Sequence, residues 1–189
     1  GILFLSLHAM VPITLAAIGE TIEESAGLFN IGLEGILLLG ALAGALGAEA
    51  SGSASIGLLS GIATGALVGL LFGGISTTLR GSQLIIGVGI NLFALGFVAL
   101  MLTILGAPGF HSVSREIQVP LIPLGVGNLS PLVPATIVLA FAVWWLLRRT
   151  QLGIWIRAAG DNPGAADVAG EREVRFPVAG VVVVHEDAA

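Results

Sequence analysis

Apolar runs long enough to cross a lipid bilayer recur along this chain, and that recurrence constrains its fold more than any other feature. Spanning about 30 Å of hydrocarbon takes roughly 20 helical residues, with a working range of about 17–25. Residues 2–18, 28–48, 56–79, 84–105 and 132–147 meet or approach that length. The first and last are the shortest, and Pro12 and Pro134 interrupt them. A further run at 176–184 stops too soon to cross. Only 10% of the 189 residues are charged, so water is the wrong solvent for most of the chain. In lipid each backbone polar group must be satisfied internally, which selects helices. The expected fold is an all-α, polytopic transmembrane bundle of about five membrane helices.

Arginine placement orients such a bundle. The chain has no lysine, and if it crosses at every run, Arg80 shares a side with Arg148, Arg149, Arg157, Arg172 and Arg175, leaving Arg115 opposite. The arginine-rich side is cytoplasmic under the positive-inside rule. Trp144, Trp145 and Trp155 then fall near that interface, where aromatic side chains collect. Residues 1–147 are expected to form the bundle, 148–176 a cytoplasmic loop, and 177–189 the start of a truncated further helix or an aberrant tail. Residues 1–18 lack a basic leader and a cleavage site, so they read as a span rather than a signal peptide.

Residues 56–79 carry Gly57, Gly61, Gly65, Gly69 and Gly73, one glycine in every four positions. At 3.6 residues per turn such a strip winds slowly around the helix and admits close neighbours, in a right-handed crossing. Ionisable groups inside a span are costly, about 2.5–3.5 kcal/mol for a central Asp on insertion scales, so Glu34 calls for a reason. With Asn30 one turn earlier on the same expected helix, it either faces a polar path or braces a neighbouring helix end. Asn91 poses the same choice, and a helix-to-helix hydrogen bond is the preferred reading.

The loop from Gly160 to Gly170 reads as a short helix: Asn162 suits the N-cap, Pro163 the first position, Ala165 and Ala166 the interior, and Gly170 the stop. Enzymatic readings lack support. His8, His111 and His185 are scattered, Ser60 has no histidine placed to activate it, and the glycine-rich stretches lack the Lys-Ser or Lys-Thr of a phosphate-binding loop. No metal, cofactor or nucleic-acid partner is expected, and any ATP must be handled by a separate subunit.

Three stretches resemble one family, the permeases of ATP-binding-cassette importers for simple sugars and nucleosides, with branched-chain amino-acid permeases as more distant relatives. The first comprises residues 17–20 and 26–41, including Asn30-Ile31-Gly32-Leu33-Glu34-Gly35. The second is Gly87-Val88-Gly89-Ile90-Asn91, and the third is Thr150-Gln151-Leu152-Gly153 with Arg157-Ala158-Ala159-Gly160-Asp161-Asn162-Pro163-Gly164-Ala165-Ala166.

The resemblance implies that Arg157, Gly160, Asn162, Pro163, Ala165, Ala166 and Gly170 belong to a cytoplasmic coupling helix that docks on the ATPase. It also implies a second permease subunit, an extracellular or periplasmic substrate-binding protein, and a nucleoside or simple sugar crossing near Asn30, Glu34 and Asn91. The form of the first stretch points toward the nucleoside branch. Glu24-Ser25 replaces the family's usual Glu-Arg, Glu171 replaces an apolar residue, and family members continue with further helices, so the chain reads as truncated. Alternatives from the residues are a proton- or cation-coupled secondary carrier using Glu34, or a non-transporting permease fragment.

Overall fold

The computed structural model describes residues 2–78, 81–107, 109, 112–114, 117–123 and 128–161. Five of its helices are long and apolar enough to cross a membrane: α1 (Ile2–Ser25), α2 (Leu33–Ser51), α3 (Ala54–Thr78), α4 (Gln83–Ile104) and α5 (Leu132–Arg149). A short antiparallel pair, β1 (Ile122–Pro123) and β2 (Asn128–Leu129), precedes α5, and α6 (Gln151–Asp161) follows it. The all-α fold with about five membrane helices expected from the apolar runs is what the described residues form. Its helices expose apolar side chains widely, including Leu59, Ile85 and Leu92, as suits a lipid solvent.

Contacts divide the described residues into two units. One holds α1, the β pair, α5 and α6. Here α1 runs beyond the expected span to Ser25, taking in Glu20, Glu23 and Glu24. The stop comes at Gly27 (φ +80°), where the Gly27 N–H donates to Glu24 O and the Leu28 N–H to Glu23 O, a Schellman closure. Helix-compatible glutamates extend α1 until a residue able to adopt left-handed backbone ends it.

Helices α1 and α5 run in the same direction. Near their starts, the His8 Nε2 accepts the Ser130 N–H at 3.0 Å while Nδ1 lies 2.6 Å from Phe4 O. This pairing defines a neutral ring protonated on Nδ1. Pro134 lies in the first turn of α5, where a missing N–H costs little, so it does not interrupt the helix.

The expected loop after residue 147 is instead largely helical at first. Thr150 breaks α5 with extended backbone and caps α6, its Oγ1 accepting the Gly153 N–H at 3.2 Å. A Cβ on Gly153 would strike the carbonyl oxygens of Leu146 and Leu147, so the turn between the helices admits only glycine there without adjustment. The polar residues of α6 hid this amphipathic helix from a search for apolar runs.

The other unit holds α2, α3 and α4. Helices α2 and α3 form an antiparallel hairpin turned at Gly52 (φ +69°). Glycines meet across it: a Cβ on Gly57 would lie 2.7 Å from Gly44 O and 2.6 Å from the Ala48 Cβ, and one on Gly61 would lie 3.0 Å from Gly40 O. The Ser60 hydroxyl donates within the same contact, with Ala43 O at 2.9 Å and Gly57 O at 2.8 Å.

The glycine strip of α3 is engaged unevenly. Among the described residues, a Cβ on Gly65 would meet only the Ile36 Cγ2, at 3.8 Å, and one on Gly69 nothing within 4 Å, whereas Gly73 is buried. Gly57→Leu is therefore expected to destabilise the hairpin by about 1–3 kcal/mol through overpacking, with Gly69→Leu near neutral. Thermal unfolding of the detergent-solubilised chain checks the contrast. Equal melting of the two variants would contradict it.

Candidate functional site

The polar residues singled out in the membrane region converge on the start of α2. Asn30 is buried, but it lies in the turn before the helix rather than within it, and its Oδ1 accepts the Gly32 N–H at 2.9 Å. This asparagine turn delays the helix to Leu33. The expected helical face shared by Asn30 and Glu34 therefore does not form.

Glu34 is the second residue of α2 and is exposed, with no hydrogen bond or ion pair among the described residues. Its negative charge sits at the helix N-terminus, where the backbone dipole favours an anion.

Asn91 reaches across from α4. Its Nδ2 donates to Ile31 O at 2.9 Å and its Oδ1 accepts the Gly35 N–H at 2.7 Å. Gly35 is the third residue of α2, and the residue at the N-cap, Gly32, has no side chain with which to cap it. Asn91 thus supplies the missing cap from another helix, satisfying an amide that α2 leaves unpaired.

Small residues make that reach possible. A Cβ on Gly35 would lie 2.9 Å from the Asn91 Oδ1, one on Gly87 would lie 2.7 Å from Gly32 N, and one on Gly32 would lie 3.1 Å from the Gly87 Cα. The Gln83 Oε1 adds a further tie by accepting the Phe29 N–H at 2.8 Å. The Asn-Ile-Gly-Leu-Glu-Gly stretch and the Gly-Val-Gly-Ile-Asn stretch are two sides of one junction. Gly32, Gly35 and Gly87 belong to the stretches that carry the family resemblance but have no role assigned from sequence, and Gln83 was not singled out. The available signal was that glycine and asparagine occur together in both stretches.

In the other unit, Arg157 is half-buried on α6, and Gly160 is set against the end of α1. A Cβ on Gly160 would lie 2.5 Å from Ser25 O and 2.8 Å from Gly27 N. The C-terminal end of α6 is thereby held on the turn that closes α1. Asn162, Pro163, Ala165, Ala166 and Gly170 lie outside the described residues.

Five helices among the described residues are long and apolar enough to cross a membrane, which marks a multi-pass membrane protein. The family described as branched-chain amino acid transport system, permease component, matches residues 2–184, and the chain belongs to that family. It is similar to the guanosine ABC transporter permease protein NupQ of Bacillus subtilis, 30% identical over 91% of this chain and 59% of the relative. It is similar also to a putative glucose ABC transporter permease protein of Haloferax volcanii, 29% identical over 97% of this chain and 58% of that relative. The nucleoside ABC transporter permease protein NupC of Lactococcus lactis subsp. cremoris is 29% identical over 91% of this chain and 59% of its own. The chain thus spans a little under three fifths of the length of these relatives. No solved structure matches it.

Proposed function

We propose that this chain supplies membrane helices to the permease subunit of an ATP-driven importer for a nucleoside or a simple sugar. The family match over residues 2–184 carries this reading, and the names of the guanosine, nucleoside and glucose transporter relatives support the substrate classes. A substrate-binding protein delivers the solute on the outer side, and ATP is hydrolysed by separate subunits rather than by this chain. A second permease subunit completes the pathway.

Residues 148–176 face the cytoplasm in this reading. The segment beginning at Asn162 is the ATPase-docking helix, and α6 is the arm that carries it. The Asn91-capped start of α2 gives a firm base beside which Glu34 contributes to the polar path. Substrate-dependent rearrangement of these helices alternates access between the two sides.

A cysteine at Ala165 tests the docking claim. Co-expressed with the ATPase and the remaining transporter subunits, Ala165→Cys is expected to crosslink to the ATPase, with substrate binding or ATP changing the yield. An assembled complex that gives no crosslink would rule the contact out. Glu34→Gln separates path from scaffold: uptake is expected to fall several-fold while thermal stability stays near wild type, because Glu34 is exposed and has no partner to lose among the described residues.

A further inference from the structure

A cleft of about 380 Å³ opens between α1, α5 and α6, within the first unit, and nothing in the transport reading uses it. Its wall is apolar on the membrane side, formed by Ile18, Val143, Trp144 and Leu147. Its other end carries Arg148 and Arg157, and no carboxylate lines it. Neither arginine has an acidic partner among the described residues. Two guanidinium groups beside an apolar wall, with no carboxylate among the lining residues, call for an anion that also brings a hydrocarbon body.

The hydroxyls sharpen the chemistry. Thr21 Oγ1 donates to Ala17 O at 2.7 Å and Ser25 Oγ to Thr21 O at 2.6 Å, so both protons are committed within α1. Each oxygen keeps a lone pair that can accept from a headgroup hydroxyl. Trp144 is 45% exposed and pairs with the outward-facing Phe141, ring centroids 5.4 Å apart, so the apolar wall continues onto surface that meets lipid. Arg148 stands in the last turn of a membrane-length helix, the part of a span from which basic side chains reach headgroups.

We propose that this cleft binds one anionic phospholipid with a hydroxylated headgroup. The phosphate lies between Arg148 and Arg157, the headgroup hydroxyl meets Thr21 or Ser25, and an acyl chain follows Trp144 and Val143 along α5. Basic pockets between membrane helices bind such headgroups by the same combination of charge and shape. Arginine suits the role because its planar fork meets phosphate oxygens in pairs. Free inorganic phosphate would gain nothing from the apolar wall, which is why a lipid is the assigned occupant.

Native mass spectrometry of the full chain in detergent, titrated with phosphatidylglycerol, phosphatidylcholine or inorganic phosphate, tests the site. At about fivefold for each cation, phosphatidylglycerol is expected to bind roughly 25-fold more tightly than phosphatidylcholine. Inorganic phosphate at equal concentration should leave that adduct in place. Arg148→Gln with Arg157→Gln should erase the preference, whereas the double lysine variant keeps part of it, and Arg149→Gln, which removes a neighbouring charge outside the cleft, keeps it whole. Equal binding of the two lipids, a preference that survives the double glutamine variant, or displacement by inorganic phosphate would each overturn the assignment.

Discussion

Asn91→Leu is expected to destabilise the α2–α4 pair by about 2–4 kcal/mol, more than any other single polar replacement in the described membrane helices. The variant loses both hydrogen bonds of the amide, leaving Ile31 O and the Gly35 N–H without their partner. Interhelical bonds in membranes average about 0.6 kcal/mol and reach about 1.7, because the separated helices also find partners. The upper end applies at this junction, since a turn carbonyl and a helix-start amide have few other donors and acceptors within reach.

Leucine adds a packing cost, because the Asn91 Oδ1 sits 2.7 Å from the Gly35 N and a branched carbon cannot accept an approach that only a hydrogen bond permits. Asn91→Ala removes the bonds without the added bulk and should lose about 1–2 kcal/mol. Thermal unfolding of the detergent-solubilised chain, followed by circular dichroism, ranks wild type above Ala and Ala above Leu. An alanine variant that melts with the wild type would show that the bonds contribute nothing.

The apolar runs made the bundle legible because the bilayer fixes helix length, leaving one pattern to find. Helix ends were harder to read. Glu20, Glu23 and Glu24 looked like a connection, yet the backbone stays helical until Gly27 permits a left-handed stop. Asn30 looked like a helical residue, yet its side chain competes for the Gly32 amide and postpones α2 to Leu33. Both misplacements arise where a local side-chain or glycine effect, not hydropathy, sets the boundary.

Partnership between helices was only half legible. The strip on α3 announced itself by its regular spacing, but its use depends on Gly40 and Gly44 of α2, which are spaced the same way and occupy the facing surface. Spacing identifies a surface that can be approached closely; it does not say how far along the helix a neighbour extends. Gly57 and Gly61 are engaged within their unit, while a Cβ on Gly69 would have nothing within 4 Å among the described residues. The Asn91 cap required knowing that α2 and α4 begin at the same end of their unit, which follows from alternation of spans but becomes a contact only through the folded positions of Gly32, Gly35 and Gly87.

The second large effect concerns Gly160. Gly160→Val is expected to lower solute uptake by roughly 5–150-fold in a reconstituted importer, the range to which overpacking of about 1–3 kcal/mol converts in an equilibrium. The groups that a new side chain would meet are Ser25 O, Gly27 N and Ala26 C, all backbone, and none can rotate aside. Relief must come from moving the end of α6 away from the turn that closes α1.

Gly27 cannot yield easily, because its positive φ forms the Schellman closure and its own side-chain position lies 3.1 Å from the Gly160 Cα. In the proposed function the Asn162 segment follows directly on α6, so a displaced α6 end moves the docking helix. Uptake and the Ala165→Cys crosslink should then fall together, while membrane insertion persists because no span is altered. Gly19→Val is the matched comparison: it lies in α1, has nothing within 4 Å of its Cβ position among the described residues, and should transport as wild type. If Gly160→Val transports as well as Gly19→Val, then α6 does not hold the docking segment through its contact with α1.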